Sequence, residues 1–166
     1  MTLQALWESI DTSPVGDFIA SSAWAFPTLE TVHVIAIATV FGTVAIMDLR
    51  LLGLASKSDR ITDLSRDTLT WTWGAFLLAA ATGTLLWVSK AHVYMKDPWF
   101  YTKMILIAVA GINMAVFHAV TWKTIGAWDN GRPPRAAKIA GLSSLAVWVL
   151  VVFCARVIGF TLGIYE

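Results

Sequence analysis

The chain has 166 residues, of which 57% are hydrophobic and 14% charged, and its net charge is +1 at pH 7. Soluble domains carry about 25% charged residues, so this composition excludes an ordinary soluble fold and indicates a single-domain membrane protein. A net charge so close to zero gives no reason to expect nucleic acid as a partner.

In chain order, residues 1–25 come first. Leu3, Leu6, Trp7 and Ile10 recur at helical spacing, and Val15, Phe18 and Ile19 follow Pro14. Such pieces are expected as short amphipathic helices lying on the outer membrane surface. No Lys or Arg precedes Arg50, which argues against a cleaved signal peptide.

A bilayer core needs about 20 apolar residues in a helix. Four stretches meet that length: Pro27–Leu49, Leu69–Ser89, Trp99–Trp122 and Ala136–Leu162. Pro27 suits a first helical turn, Asp97-Pro98 reads as N-cap and N1, and Pro133-Pro134 precede the last span. The expected fold class is therefore all-α, a polytopic membrane four-helix bundle.

Basic residues set the expected direction. Arg50, Lys57, Arg60 and Arg66 flank the first loop, and Lys123, Arg132, Arg135 and Lys138 the third. The second loop side has only Lys90, Lys96 and Lys103. Because positive charge favours the cytoplasmic side, the chain is expected in a bacterial inner membrane with both termini periplasmic.

Ionisable groups inside a membrane are costly and mark candidate sites. Glu30 and His33 sit at i and i+3 near the outer end of the first span. His92 comes after the second span, just past Lys90, and Arg156 lies about two turns from the outer end of the fourth. These residues share the outer half. His118 belongs to the inner half, more than about 10 Å from His33 at 1.5 Å of rise per residue. Asn113 reads as an interhelical hydrogen bond, Cys154 as a small hydrophobe, and Asp48 with Arg50 as an anchor or a pair across the first loop.

Three readings fit the outer cluster. In the first, His33 and His92 are the axial ligands of a b-type haem, Arg156 and Lys90 meet its propionates, and Glu30 pairs with Arg156 or orients a histidine. This reading needs the second helix to bend inward, because His92 stands up to two turns above His33. In the second, His33, His92, Met95 and Met104 hold copper. In the third, the same groups only fix helix register. The chain has no Gly-x-Ser-x-Gly, His-Glu-x-x-His or phosphate loop, so hydrolytic chemistry has no support. Four helices without an internal repeat also argue against a transporter.

"WAFPTLETVH" (residues 24–33), "DLRLLG" (48–53) and "RVIGF" (156–160) carry a resemblance. The chain resembles a bacterial membrane family without an assigned function, itself similar to the broader CopD-like group. That group includes copper-resistance membrane proteins and the HemJ-type protoporphyrinogen oxidase. The resemblance implies four or more helices, a first-helix histidine that His33 matches, and haem binding as in the HemJ branch. The other signature residues of that branch have no match here, so porphyrinogen oxidation is not carried over. The resulting expectation is a haem b protein that passes electrons between a membrane quinone, with His118 as its contact, and an outer-side redox partner. The alternatives are a copper-handling protein and a non-catalytic subunit of a larger membrane complex.

Overall fold

Short polar side chains start the helices where the sequence places them. The Thr2 hydroxyl accepts from the Ala5 amide at 3.4 Å and opens α1 (Leu3–Asp11). Ser13 does the same for α2 (Pro14–Ser21), accepting from the Gly16 amide at 3.2 Å, with Pro14 at the first helical position. The computed structural model describes residues 2–56 and 58–164, and among them every regular element is helical. Lys57, one of the first-loop cations, lies outside the described residues. The longer helices are α3 (Ala25–Leu52), α4 (Ile61–Ser89), α6 (Pro98–Val116) and α7 (Arg135–Thr161), with the single turn α5 (Ala91–Tyr94) between α4 and α6.

Among the described residues, four helices are long and apolar enough to cross a membrane: Ala25–Leu52, Ile61–Ser89, Pro98–Ala127 and Arg135–Ile164. The second starts eight residues before Leu69, because the polar turn from Ile61 stays helical and Ile61 is fully buried beneath it. The third continues past α6 as a π-helical turn, Phe117–Thr121, and a 3-10 turn, Trp122–Ala127. Gly53 ends α3 in the left-handed region at φ 75°, where a glycine avoids the Cβ clash.

Cross-helix contacts give the topology. Thr72 donates to Thr43 at 2.8 Å, joining the start of α4 to the second half of α3. Asn113 donates to the Ala140 carbonyl at 3.0 Å, joining α6 to α7 as an interhelical hydrogen bond. Thr161 donates to Asp97 at 2.7 Å, tying the end of α7 to the start of α6. Neighbours therefore run antiparallel. One end of the bundle carries α1, α2 and α5 (the terminal end), and the other carries the α3–α4 and α6–α7 loops (the loop end).

α3 packs on both α4 and α7, and α6 packs on α7, whereas α4 and α6 form no packed interface. Val40, Ala110, Trp148 and Val151 make the mid-bundle core, and Leu51, Ile61, Phe117, Trp128 and Ala137 a second core at the loop end. Outward residues such as Ile35, Leu77, Ile105, Ile112 and Leu142 are exposed and apolar. That surface suits lipid rather than water.

At the loop end, Arg50 is buried and donates through Nε and a terminal nitrogen to the Asp59 carbonyl at 3.1 and 3.0 Å. It anchors the first loop. Asp129 ties the two loops together, accepting from Arg60 at 2.9 Å, from the Thr62 amide at 2.9 Å and from the Thr62 hydroxyl at 2.8 Å.

Candidate functional site

The terminal-end histidines have separate partners. His33 on α3 is half-buried, and its Nδ1 lies 3.0 Å from the Thr82 hydroxyl oxygen on α4. Thr82 already donates its one proton to the Leu78 carbonyl at 2.7 Å. With its proton on the Leu78 carbonyl, the Thr82 oxygen is free to accept from His33 Nδ1, and in that tautomer Nε2 keeps a lone pair. The ring rests against Gly83, where an added Cβ would stand 2.9 Å from His33 Cε1. Lys103 of α6 lies within electrostatic reach of this ring.

His92 sits in α5, and its Nδ1 is hydrogen-bonded to the Asp11 carboxylate of α1. The same carboxylate accepts from the Ala91 and His92 amides. The chain does bend after Ser89, but the bend carries His92 to α1 and not down toward His33. Thr82 marks the level of His33, and Ser89, where α4 ends, lies seven residues further on, about 10 Å at helical rise. Each ring is thus held by its own partner, Thr82 for His33 and Asp11 for His92.

The other expected members are also dispersed. Arg156 is exposed, its guanidinium 4.4 Å from the centroid of the Phe160 ring one turn on, so it faces outward with that ring. The Lys90 ammonium lies 5.9 Å from the centroid of the Phe26 ring. Glu30 is exposed and acts on Tyr94 of α5; burial first, then the charges of Glu30 and Asp97, push the Tyr94 phenol up to about 12. For the copper set, Met104 is 49% exposed, and among the described residues no group of three or more His, Cys, Asp or Glu side chains could hold a metal. Cys154 is buried, as expected of a small hydrophobe.

A different site lies in the loop-end half. The unpacked seam between α4 and α6 leaves a cavity of about 200 Å³. Its walls are the second half of α3, the first halves of α4 and α7, and α6 with its π-helical turn. Phe76, Trp73, Trp122 and Trp148 supply aromatic surface, and Asp48, Asn113, Ser144 and Thr72 supply polar atoms. His118 lines the cavity from the π-helical turn, tilted against Trp122 at 5.5 Å between centroids. Its Nδ1 lies 2.9 Å from the Met114 carbonyl, which only accepts, so Nε2 carries the lone pair. The extra residue of a π turn rotates side chains off the α-helical stripe, and such turns recur at functional sites.

Asp48 is the member that sequence reasoning placed elsewhere. Among the described residues it pairs with no cation across the first loop. It is 5% exposed, lines the cavity, and its Oδ2 has no hydrogen-bond partner among the described residues. α7 reaches it closely because Gly141 has no side chain: a Cβ there would lie 3.1 Å from the Asp48 carbonyl oxygen. A polar group within an apolar span was the available signal, but the loop-flanking position of Asp48 beside Arg50 disguised it.

Residues 7–161 match the model of a family described as "Family of unknown function (DUF6644)", and the chain belongs to that family. The match carries no link to the CopD-like group or its HemJ branch. No curated protein and no solved structure matches the chain.

Proposed function

We propose that this protein binds a lipid-soluble ring compound of the quinone class in the cavity between α4 and α6, within a bacterial inner membrane. The observation that carries the reading is the cavity itself: about 200 Å³, walled by aromatic residues, with a few polar groups. An engineered apolar cavity of roughly 150 Å³ holds benzene, so this space suits a single substituted ring. Because α4 and α6 form no packed interface, the proposed path of an isoprenoid tail into lipid runs between them. Largely apolar walls with a small number of polar groups are the usual make-up of a small-molecule site. His118, the expected quinone contact, lines the same cavity.

The proposed orientation has the loop end in the cytoplasm and both termini periplasmic. Arg50, Arg60, Arg66, Lys123, Arg132, Arg135 and Lys138 support it, since they cluster toward the loop end.

A second reading keeps His33 alone as the ligand of a b haem or a copper ion. It is favoured by the Nε2 lone pair and the orienting bond from Nδ1 to Thr82. In the CopD-like resemblance, the first-helix histidine is the matching position.

The test uses purified protein in lipid nanodiscs, titrated with decylubiquinone while tryptophan fluorescence is monitored. Saturable quenching is expected, because Trp73, Trp122 and Trp148 line the cavity. Gly111 also lines it and has open space where a Cβ would stand, so Gly111→Phe should fill the cavity and abolish saturation. Quenching that never saturates, or that Gly111→Phe leaves unchanged, rejects the reading.

A further inference from the structure

We infer that Asp48, in its acid form, donates a hydrogen bond from its carboxyl to a carbonyl oxygen of the ligand in this cavity. The inference rests on the quinone-class reading and names the contact that selects the ligand.

A buried polar atom without a partner loses its hydration and gains nothing in return, about 1–3 kcal/mol for a typical group. Asp48 Oδ2 is such an atom in a side chain that is 5% exposed. Asp48 as a residue lines the cavity, so a molecule seated there and the Ser144 hydroxyl beside the carboxyl are the partners within its reach.

Charge then decides which partner. Among the described residues, Asp48 and His118 are the only titratable side chains lining the cavity. Its neighbour Arg50 is committed to the Asp59 carbonyl. From α4 the wall presents Ser65, Thr68 and Thr72, and from α7 Ser144, whose hydroxyl stands beside the carboxyl. Among the described residues no cation forms an ion pair with Asp48. A carboxylate without a countercharge inside a bilayer is far costlier than the neutral acid. The acid brings one O–H, which calls for an acceptor. A ring carbonyl meets that requirement, whereas an aliphatic lipid chain offers no acceptor and a cation offers only donors.

Two variants and one spectrum test this. Asn at 48 keeps the shape and a donor, and Leu at 48 keeps neither. Decylubiquinone affinity in nanodiscs should stay within a few-fold for Asp48→Asn and fall about tenfold for Asp48→Leu, the worth of one hydrogen bond of about 1.4 kcal/mol. Infrared spectra of the ligand-free protein at neutral pH should show a carboxylic acid C=O band that Asp48→Asn removes and that shifts when decylubiquinone binds. Wild-type affinity in Asp48→Leu overturns the inference while leaving the binding site standing. Failure of wild-type protein to bind decylubiquinone overturns the functional reading; the infrared band then decides the acid form by itself, and its absence at neutral pH overturns the inference. If Asp48→Leu does not fold, the band and the Asp48→Asn affinity carry the decision, and a tenfold loss in Asp48→Asn counts against the inference.

Discussion

Replacing Gly141 by alanine puts a methyl group 3.1 Å from the Asp48 carbonyl oxygen, 3.2 Å from Leu51 Cβ and 3.6 Å from Asp48 Cα. Carbon atoms in ordinary contact sit about 3.5–4.0 Å apart, so α3 and α7 must separate by roughly 0.3 Å. Two of the three neighbours are backbone atoms, so no side-chain rotation relieves the contact. Overpacking of this kind costs about 1–3 kcal/mol. The gain in helix propensity from Gly to Ala offsets about 1 kcal/mol of this, which leaves a net loss of about 0–2 kcal/mol. Gly74 on α4 is the control, because nothing lies within 4 Å of its Cβ position. Gly74→Ala should gain up to about 1 kcal/mol. The assay is reversible unfolding in mixed micelles, monitored by far-ultraviolet circular dichroism for both variants. Equal stability of the two would refute the close approach of α7 to Asp48.

Further consequences concern both ends of the bundle. Thr82→Val removes the acceptor of His33 Nδ1 at nearly constant volume, so stability in the same unfolding assay should drop by about 1 kcal/mol. Asp11→Asn removes the carboxylate that holds α5, and hydrogen exchange over Leu3–Asp11 should quicken while α3 and α7 stay protected. Asp129 is held below its ordinary 3.8 by the Thr62 amide first, then the Thr62 hydroxyl and Arg60, with burial opposing. Its contribution is therefore fully present above about 3.8 and fades as pH falls through the lowered value. A pH series of melting temperatures should show that acid-side loss in wild type and a flatter profile in Asp129→Ala. If haem or copper is bound at all, His33→Ala should remove the Soret band or the metal found by elemental analysis, and His92→Ala should leave it. Loss in both variants would restore a two-histidine site.

The four spans were legible because length and apolarity suffice for a membrane helix, and Ser13, Pro14, Asp97 and the proline pair before α7 mark helix starts chemically. Asn113 was legible for a similar reason: an amide in an apolar span has few options besides a neighbouring helix. The pairing of His33 with His92 depended on the path of the chain beyond Ser89, and helical periodicity carries no information once a helix ends. Lys90 turns there at φ −151°, and the partner that captures His92 is Asp11, 81 residues earlier in the chain. Asp11 reads in sequence as the polar face of a surface helix. Depth in a span does not fix which face a side chain takes, so the contact of Arg156 with Phe160 at i+4 was not legible. The cavity was not legible either. It arises from packing order, since α6 pairs with α7 and leaves α4 without a neighbour on that side.

Photolabelling with an azido-quinone in native-like bilayers, with peptide mapping of the product, tests the ligand site most directly. Label is expected on residues 40–51, 65–76 and 107–118, the segments that wall the cavity, with protection by excess decylubiquinone. Label confined to the terminal end, around His33 and residues 86–95, would contradict a quinone site between α4 and α6.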